Sequence, residues 1–120
     1  MQSIKFYHCS KCGAIIYAIQ DCPCNCLSCC NQKMELLIPN KADALKEKHV
    51  PIINKNDICV GSELHPMLDN HYIEWICIKN NDNVFFYHLK PAYQPVINVS
   101  IDHNAEVYAY CNLHGLWCNK

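Results

Sequence analysis

The sequence predicts a mainly β protein, with a small metal-bound unit followed by a seven-stranded, immunoglobulin-like antiparallel β-sandwich. The first observation is that seven of the eleven cysteines lie between Cys9 and Cys30. The second is that short segments of alternating apolar and polar residues follow one another from His49 onward. The third is that apolar residues make up 51% of the 120 residues, which is enough for a core. The change in composition divides the chain into residues 1–37 and 38–120.

The front unit, residues 1–37, is too short to bury a core alone, so a metal ion has to organise it. Cys9 and Cys12 form a C-x-x-C knuckle, which points two thiolates at one ion. The adjacent Cys29 and Cys30 supply the other two thiolates. Four sulfurs suit tetrahedral zinc or iron, and the spacing alone favours a structural zinc site over iron.

The turn and loop that follow the knuckle carry two further signals. Gly13 comes directly after the knuckle and can take the positive φ that such a turn needs. The loop between the two cysteine pairs contains three more cysteines, Cys22, Cys24 and Cys26. These are spare thiols on a loop tip, alternative ligands, or part of a different site, and spare thiols are the simplest interpretation.

The second part of the chain reads as β-strands after a polar linker, residues 39–48, that holds one or two helical turns. The clearest pattern is HYIEWICIK, residues 71–79. One predicted face carries Tyr72, Glu74, Ile76 and Ile78, and the other carries Ile73, Trp75, Cys77 and Lys79. The other strand candidates are 50–54, 58–62, 84–90, 96–101 and 105–110. Roughly seven strands spaced about 8–12 residues apart are typical of an immunoglobulin-like sandwich.

Charge and hydropathy exclude several classes of protein. The net charge is -1 and no Lys/Arg cluster is present, which argues against a nucleic-acid partner or a membrane surface. The first residues contain no apolar region of signal-peptide length, and no apolar stretch is long enough to span a bilayer. We therefore expect a cytoplasmic protein, in which closely spaced cysteines accompanied by seven histidines serve metal binding rather than disulfides.

Four histidines and one cysteine of the second part occupy predicted strand ends or loops. They are His49, His65, His71, His114 and Cys111. A rigid sandwich can aim side chains at such positions toward one point. Any one of these histidines alone is more often a hydrogen-bonded polar residue, but the five together indicate a metal site. His8, His88 and His103 are interpreted as structural or solvated.

The neighbours of these five residues carry a close family resemblance. The stretches EKHVP, HPM followed by HYIEW, LKP and the final YCNLHGLW resemble the superoxide reductases. With its cysteine-rich front, the whole chain is similar to the two-iron form of that family, desulfoferrodoxin. The resemblance covers essentially all 120 residues.

The resemblance implies a mononuclear iron centre that reduces superoxide by one electron to hydrogen peroxide. Its equatorial ligands would be His49, His65, His71 and His114, with Cys111 as the axial thiolate and a sixth position open in the ferrous state. Lys48 would be a cation near the open position, which attracts superoxide and helps to deliver a proton. Glu47 would occupy the sixth position once the iron is ferric. From the residues alone, Glu47 and Lys48 are a solvated charge pair at a helix end.

The resemblance also gives the front unit an identity. It is similar to the desulforedoxin domain, whose rubredoxin-like site would hold a second iron, or zinc, on Cys9, Cys12, Cys29 and Cys30. The family usually has glycine after the adjacent cysteine pair, where this chain has Asn31. Asparagine tolerates the left-handed backbone better than most residues, so we expect the turn to be kept. The implied partners are superoxide, rubredoxin or a similar electron donor, and a second copy of the chain in a homodimer.

Two functions of other classes compete with this interpretation. A cupredoxin-like copper electron carrier also places cysteine and histidine ligands on a late loop of a β-sandwich. It expects a methionine soon after the last histidine, and the residues after His114 are GLWCNK. A non-catalytic zinc-binding module explains the front cysteines but not YCNLH together with three upstream histidines. A superoxide dismutase is a weaker alternative within the enzymes.

Overall fold

The computed structural model describes residues 4–24, 26–42 and 44–120. The chain divides into two compact units, Met1–Ile38 and Pro39–Lys120. Strands dominate both units, which confirms the predicted mainly β class. Within the described ranges, no helix is long and apolar enough to cross a lipid bilayer.

The front unit is built from short strands around a small core. They are β1 (Lys5–His8), β2 (Ile15–Ala18), β3 (Ser28–Cys29), β4 (Gln32–Lys33) and β5 (Glu35–Leu36). β1 is the centre of an antiparallel sheet of order β2-β1-β5, while β3 and β4 form a separate hairpin. Tyr7, Cys9 and Met34 are buried against each other. Two of the predicted metal ligands, Cys9 and Cys29, therefore belong to this core or its edge.

The second unit contains one short helix and seven strands among its described residues. They are α1 (Lys46–His49), β6 (Pro51–Asn54), β7 (Asp57–Val60), β8 (Ile73–Asn80), β9 (Asn83–His88), β10 (Val96–Asn98), β11 (Glu106–Cys111) and β12 (Gly115–Cys118). The strands form two antiparallel sheets, of order β10-β7-β6 and β12-β11-β8-β9.

The core of the second unit lies between its two sheets. Ile58 and Val60 come from the three-stranded sheet, and Ile76, Ile78 and Val107 come from the four-stranded sheet. All five are fully buried in one cluster. Burial of side chains from two facing sheets is the arrangement of a sandwich, so the predicted seven-stranded antiparallel sandwich is confirmed.

A β-bulge interrupts the alternation of β8. Tyr110 pairs with Trp75, but the next residue, Cys111, pairs with Ile73, so Glu74 is an extra residue in β8. The prediction that Ile73 faces away from Ile76 and Ile78 is wrong, because the bulge turns Ile73 to the same buried side. The bulge also keeps Cys111 on the core side of the sheet, beside Ile73.

The alternation pattern of the sequence does not predict the last strand, β12. Gly115–Cys118 pairs with the end of β11, with Cys111 opposite Gly115, and residues 112–114 form the loop. Gly115 has φ +79, a left-handed conformation that glycine adopts without strain. Cys111 and His114 are therefore held at the start and the end of one tight hairpin loop.

Candidate metal centres

The predicted ligands of the second unit come together at the end of the sandwich where β8 begins and β11 ends. The metal-binding atoms of His49, His71, Cys111 and His114 all lie within 4.8 Å of one another. His65 adjoins the group, with its Nε2 3.2 Å from Nε2 of His49. Side chains that are up to 65 residues apart in sequence therefore meet at one point.

The hydrogen bonds of two rings fix which nitrogen faces the cluster. His49 Nδ1 lies 2.8 Å from the carbonyl oxygen of Leu45, and His65 Nδ1 lies 2.7 Å from that of Pro66. A carbonyl only accepts, so in both rings Nδ1 carries the proton and Nε2 presents a lone pair. Two lone pairs that face each other at 3.2 Å repel unless a cation lies between them. Backbone partners of this kind are the usual supports of metal-binding imidazoles.

His71 supplies a second sign that a metal ion belongs here. Its Nε2 is buried and has no hydrogen-bond partner among the described residues. A buried polar atom without a partner costs about 1–3 kcal/mol.

Nitrogens about 2.1 Å from one ion and at right angles would be about 3.0 Å apart. Nε2 of His49 and Nδ1 of His114 are 3.2 Å apart, so the residues fit a single ion.

Burial keeps these imidazoles in the form that binds metal. It lowers the pKa of His65 to about 4 and also lowers the pKa values of His49 and His71. The neighbouring imidazoles lower all three pKa values further. The rings are therefore neutral near pH 7, and a neutral imidazole has a lone pair to give to a cation.

Cys111 is a fully buried free thiol. Its Sγ lies 3.8 Å from Nδ1 of His114. Burial raises the pKa of the thiol, while the backbone N–H groups of Leu113 and His114 act in the opposite direction. A bound cation would favour the thiolate, and the two N–H groups of the hairpin loop are placed to stabilise it.

Trp117 holds two of the histidines in place. Its ring is fully buried and stacks on His49, with ring centroids 4.7 Å apart and an interplanar angle of 28°. Its Nε1 donates to the carbonyl oxygen of His114 at 3.2 Å. Trp75, in contrast, stacks on Tyr110, its partner residue on the neighbouring strand. Trp117 therefore packs directly on the cluster.

Gly61 allows the helix that ends in His49 to lie against the sandwich. Its N–H donates to the carbonyl oxygen of Val50 at 3.1 Å, and Glu63 N donates to Glu47 O at 3.1 Å. A Cβ on Gly61 would lie 2.3 Å from Glu63 O and 2.7 Å from Glu47 O. Only glycine permits this approach of two backbone segments, so Gly61 sets the position of His49.

Asn112 ties the loop that carries His71 to the hairpin loop. Its Oδ1 accepts from Tyr72 N at 2.9 Å, and its Nδ2 donates to Asn70 O at 3.0 Å. Its own backbone N–H donates to Tyr72 O at 3.2 Å. Sequence reasoning missed Asn112 because an asparagine between two ligands gives no sign of such long-range bonds. The residue links the backbone on both sides of His71 to the segment of Cys111.

Replacement of Asn112 by alanine should weaken metal binding at the histidine cluster. We expect a loss of affinity of roughly tenfold or more, as for other groups that orient ligands. Equilibrium competition with a chelator measures this loss. Asn119→Ala is the matched control, because Asn119 also makes two side-chain bonds to backbone, with Val107 and Ala105. Equal loss of affinity in both variants would show that Asn112 supports the fold and not the site.

The two predicted charged residues differ in their relation to the cluster. A cavity of about 410 Å³ is lined by Lys48 together with His49, His71 and His114. Lys48 is half-buried there, and its charge contributes to the lowered pKa values of His49 and His71. Glu47 is exposed, and it is not among the described residues that line this cavity. Lys48 can therefore act on a small anion beside the cluster.

The front unit brings its four predicted cysteines together in a second group. The sulfurs of Cys9, Cys12, Cys29 and Cys30 lie within 4.8 Å of one another. Cys12 Sγ is 3.6 Å from Cys29 Sγ, and Cys29 Sγ is 3.9 Å from Cys30 Sγ. Sulfurs in a tetrahedron about 2.3 Å from one ion would be about 3.8 Å apart. The four thiols therefore fit a tetrahedral ion.

The electrostatics of the front group also suit a cation. Backbone N–H groups, that of Cys12 above all, lower the pKa of Cys9 to about 7. The side chain of Cys12 is the largest cause that raises the pKa of Cys29, to about 12, and that of Cys30. Four thiolates at this separation repel one another, so a bound ion is needed to keep all of them ionised.

Two turn residues of the front group adopt the expected backbone. Gly13 has φ +83 after the knuckle, and Asn31 has φ +60 where the family usually has glycine. Cys30, which precedes Asn31, also has a positive φ of +52. The β3–β4 turn thus passes through two left-handed residues, and this lets the adjacent Cys29 and Cys30 direct both sulfurs to the same group.

A β-sandwich with four imidazoles and a thiol at one end, joined to a unit with four clustered thiols, has the ligand groups of a metalloprotein with two candidate centres. The sequence profile of the family described as Desulfoferrodoxin matches residues 41–120. The chain belongs to the desulfoferrodoxin family. Membership in this family implies iron binding, and the ligand clusters described above are where ions fit.

Individual relatives extend the match over nearly the whole chain. The desulfoferrodoxin of Desulfarculus baarsii is 40% identical over 122 residues, covering 97% of this chain and 95% of its own. That of Syntrophotalea carbinolica is 40% identical over 124 residues, covering 99% and 98%. The crystal structure of the superoxide reductase from Treponema pallidum matches with a TM-score of 0.76 and 25% identity, over 99% of this chain and 100% of that one. These relatives support an oxidoreductase activity.

Proposed function

We propose that the chain is a superoxide reductase, which reduces superoxide by one electron and with two protons to hydrogen peroxide. The proposed ligands of its single catalytic iron are His49, His65, His71, His114 and Cys111. The observation that carries the proposal is the convergence of these side chains at one end of the sandwich. The likeness to a solved superoxide reductase supports it independently.

The protein's own contribution at the proposed centre is to hold the ligands in place. When bound, iron supplies the one-electron couple between its ferrous and ferric forms. The neutral rings of His49 and His65 give lone pairs without adding charge, and the carbonyl groups of Leu45 and Pro66 fix their orientation. Buried Cys111 adds one negative charge, which donates electron density to the metal. Trp117 covers one side of His49.

Lys48 is the residue we propose to attract the substrate. It lines the cavity beside three of the histidines, and the chain as a whole is slightly negative. Attraction of an anion therefore has to come from a local charge. The ammonium group can also hold a proton for transfer toward the reduced oxygen species, directly or through water. The role of Glu47 as a ligand in the oxidised state stays a prediction that rests on the family resemblance.

Replacement of Lys48 by alanine should slow the reaction with superoxide. We expect the second-order rate constant at low ionic strength to fall by roughly tenfold, because the local attraction is lost. Higher salt should reduce the rate of the wild-type protein and change that of the variant less. Pulse radiolysis over a series of salt concentrations measures both effects. Lys46→Ala is the control, since Lys46 is an exposed lysine of the same helix. If wild type and Lys48→Ala have equal rates and an equal dependence of the rate on salt, Lys48 does not attract the substrate.

The front unit, residues 1–37, is proposed to hold a second iron, or zinc, as a desulforedoxin-like domain, with residues 38–120 as the reductase. We propose a structural role for that ion, combined with relay of electrons from rubredoxin or a similar donor. Assembly into a homodimer is part of the same proposal. The sulfur separations in the front group support a tetrahedral ion of either metal.

Metal analysis combined with electron paramagnetic resonance tests the proposed function against its alternatives. We expect iron at the histidine cluster and a high-spin ferric signal after oxidation. A copper electron carrier would give the hyperfine pattern of Cu(II), and a zinc-binding module would give no signal. Iron bound in the front unit alone, with the histidine cluster lacking it, would contradict the proposal.

A further inference from the structure

Three cysteines of the front unit take part in neither metal group. Cys24 and Cys26 are joined by a disulfide, and the free thiol of Cys22 lies 3.4 Å from Cys24 Sγ. The three sulfurs form a group of their own within 4.8 Å, and it contains none of the four front ligands. We name Cys22, Cys24 and Cys26 the CxCxC cluster. A free thiol in contact with a disulfide is the arrangement needed for thiol–disulfide exchange.

The CxCxC cluster is open to small solutes. Cys24 and Cys26 are exposed and Cys22 is half-buried. Cys22 also lines a cavity of about 710 Å³, whose wall carries both basic and acidic side chains, with Lys5 paired to Asp21 at 2.9 Å. Exposed disulfides are the ones that exchange, whereas structural disulfides are sheltered from attack. The access therefore suits a small thiol or disulfide.

We propose that the CxCxC cluster is a redox-active thiol–disulfide exchange site whose substrates are small thiols and disulfides. In the oxidising direction, a Cys26 thiolate attacks a small disulfide RSSR, forms a mixed disulfide and releases one RS⁻. The Cys24 thiolate then attacks Cys26 Sγ, closes the Cys24–Cys26 bond and releases the second RS⁻. Two cysteines lose two electrons in total, and the small disulfide gains them. The reverse sequence, with two small thiols, reopens the bond.

Cys22 gives the cluster a second disulfide isomer. Its thiolate attacks Cys24 Sγ, so that a Cys22–Cys24 bond forms, the Cys24–Cys26 bond breaks and Cys26 leaves as a thiolate. The attacking and attacked sulfurs are already 3.4 Å apart, so little chain movement is needed. Cys24 is shared by both isomers, and each isomer leaves one thiol beside the disulfide. This site does not depend on the proposed reaction with superoxide.

Disulfide mapping of the metal-loaded protein in glutathione redox buffers tests the proposal. The protein is equilibrated anaerobically, its thiols are alkylated rapidly, and its peptides are identified by mass spectrometry. We expect one disulfide per chain within the cluster under oxidising conditions, as a mixture of both isomers, and none under reducing conditions. Cys26→Ser should form the Cys22–Cys24 bond, and Cys22→Ser should form only the Cys24–Cys26 bond. Cys59→Ser is the control and should leave the mapping unchanged.

Three results would overturn the proposal. One is that all three cysteines remain thiols throughout the range of the glutathione buffers. Another is that Cys26→Ser forms no Cys22–Cys24 bond although its metal content equals that of the wild type. The third is that the cluster binds a metal ion of its own, seen as an additional equivalent that is lost in Cys24→Ser. Retention of the front and catalytic metals in each variant shows that the fold is intact.

Discussion

Replacement of Cys111 by serine should abolish the thiolate-to-iron charge-transfer band proposed for the histidine cluster and lower the rate of superoxide reduction by roughly a hundredfold or more. Absorption from an iron bound to the four front cysteines should remain. A serine hydroxyl stays neutral at pH 7, so the buried site loses its one negative ligand. A serine oxygen also donates less electron density to a metal than a thiolate sulfur does. The hairpin backbone needs no change for this substitution, because the two side chains are nearly equal in shape. Visible spectroscopy and pulse radiolysis measure the two effects.

Cys118→Ser is the matched control for this experiment. Cys118 is also buried and lies on β12, the strand that pairs with the end of β11. It belongs to none of the described metal-binding groups. We expect its variant to keep the band and the activity. A histidine-cluster band that persists in Cys111→Ser, or that disappears equally in Cys118→Ser, would contradict the assignment of Cys111 as a ligand.

Replacement of Gly61 by alanine should dislodge the helix that ends in His49. Gly61 has φ +88, and a left-handed conformation costs a residue with a side chain about 1–2 kcal/mol. The new Cβ would also lie 2.3 Å from one backbone oxygen and 2.7 Å from another, so the backbone has to move. We expect the sandwich to lose roughly 3 kcal/mol or more in its free energy of unfolding. Iron bound at the histidine cluster should fall with it.

Gly115→Ala separates the two causes of this effect within the same unit. Gly115 has a similar φ of +79, but a Cβ there would meet no atom within 4 Å. Its variant therefore has the conformational cost without the collision, and it should lose less stability than Gly61→Ala. Chemical denaturation followed by tryptophan fluorescence, together with iron content, gives both quantities. A Gly61→Ala protein with normal stability and a full histidine centre would show that the close approach is not needed.

The parts of the fold that depend on local pattern could be predicted from the sequence. Alternation of apolar and polar residues predicted the sandwich strands other than β12, and clustering of cysteines predicted a separate front unit. The spacing of the cysteines along the chain predicted that Cys9 and Cys12 form one pair of metal ligands and Cys29 and Cys30 the other. The structure brings these four thiols together, and it brings His49, His71, Cys111 and His114 together as well. Which ion each group binds stays a prediction from the family.

The features that need tertiary contacts could not be predicted. The bulge at Glu74 depends on the register between β8 and β11, and no residue of β8 signals it. Gly61 and Asn112 act through backbone groups on distant segments. The disulfide between Cys24 and Cys26 was not expected, because closely spaced cysteines with many histidines usually indicate metal binding. These positions are fixed by contacts that form only when the chain is folded.

The products of a single turnover test the central claim most directly. The fully reduced, iron-loaded protein is mixed with a limiting amount of superoxide, and both hydrogen peroxide and dioxygen are measured. A reductase takes the electron from its own iron, so we predict one hydrogen peroxide for each superoxide and no dioxygen. Half an equivalent of peroxide with half an equivalent of dioxygen would identify dismutation, and it would contradict the proposed reductase activity.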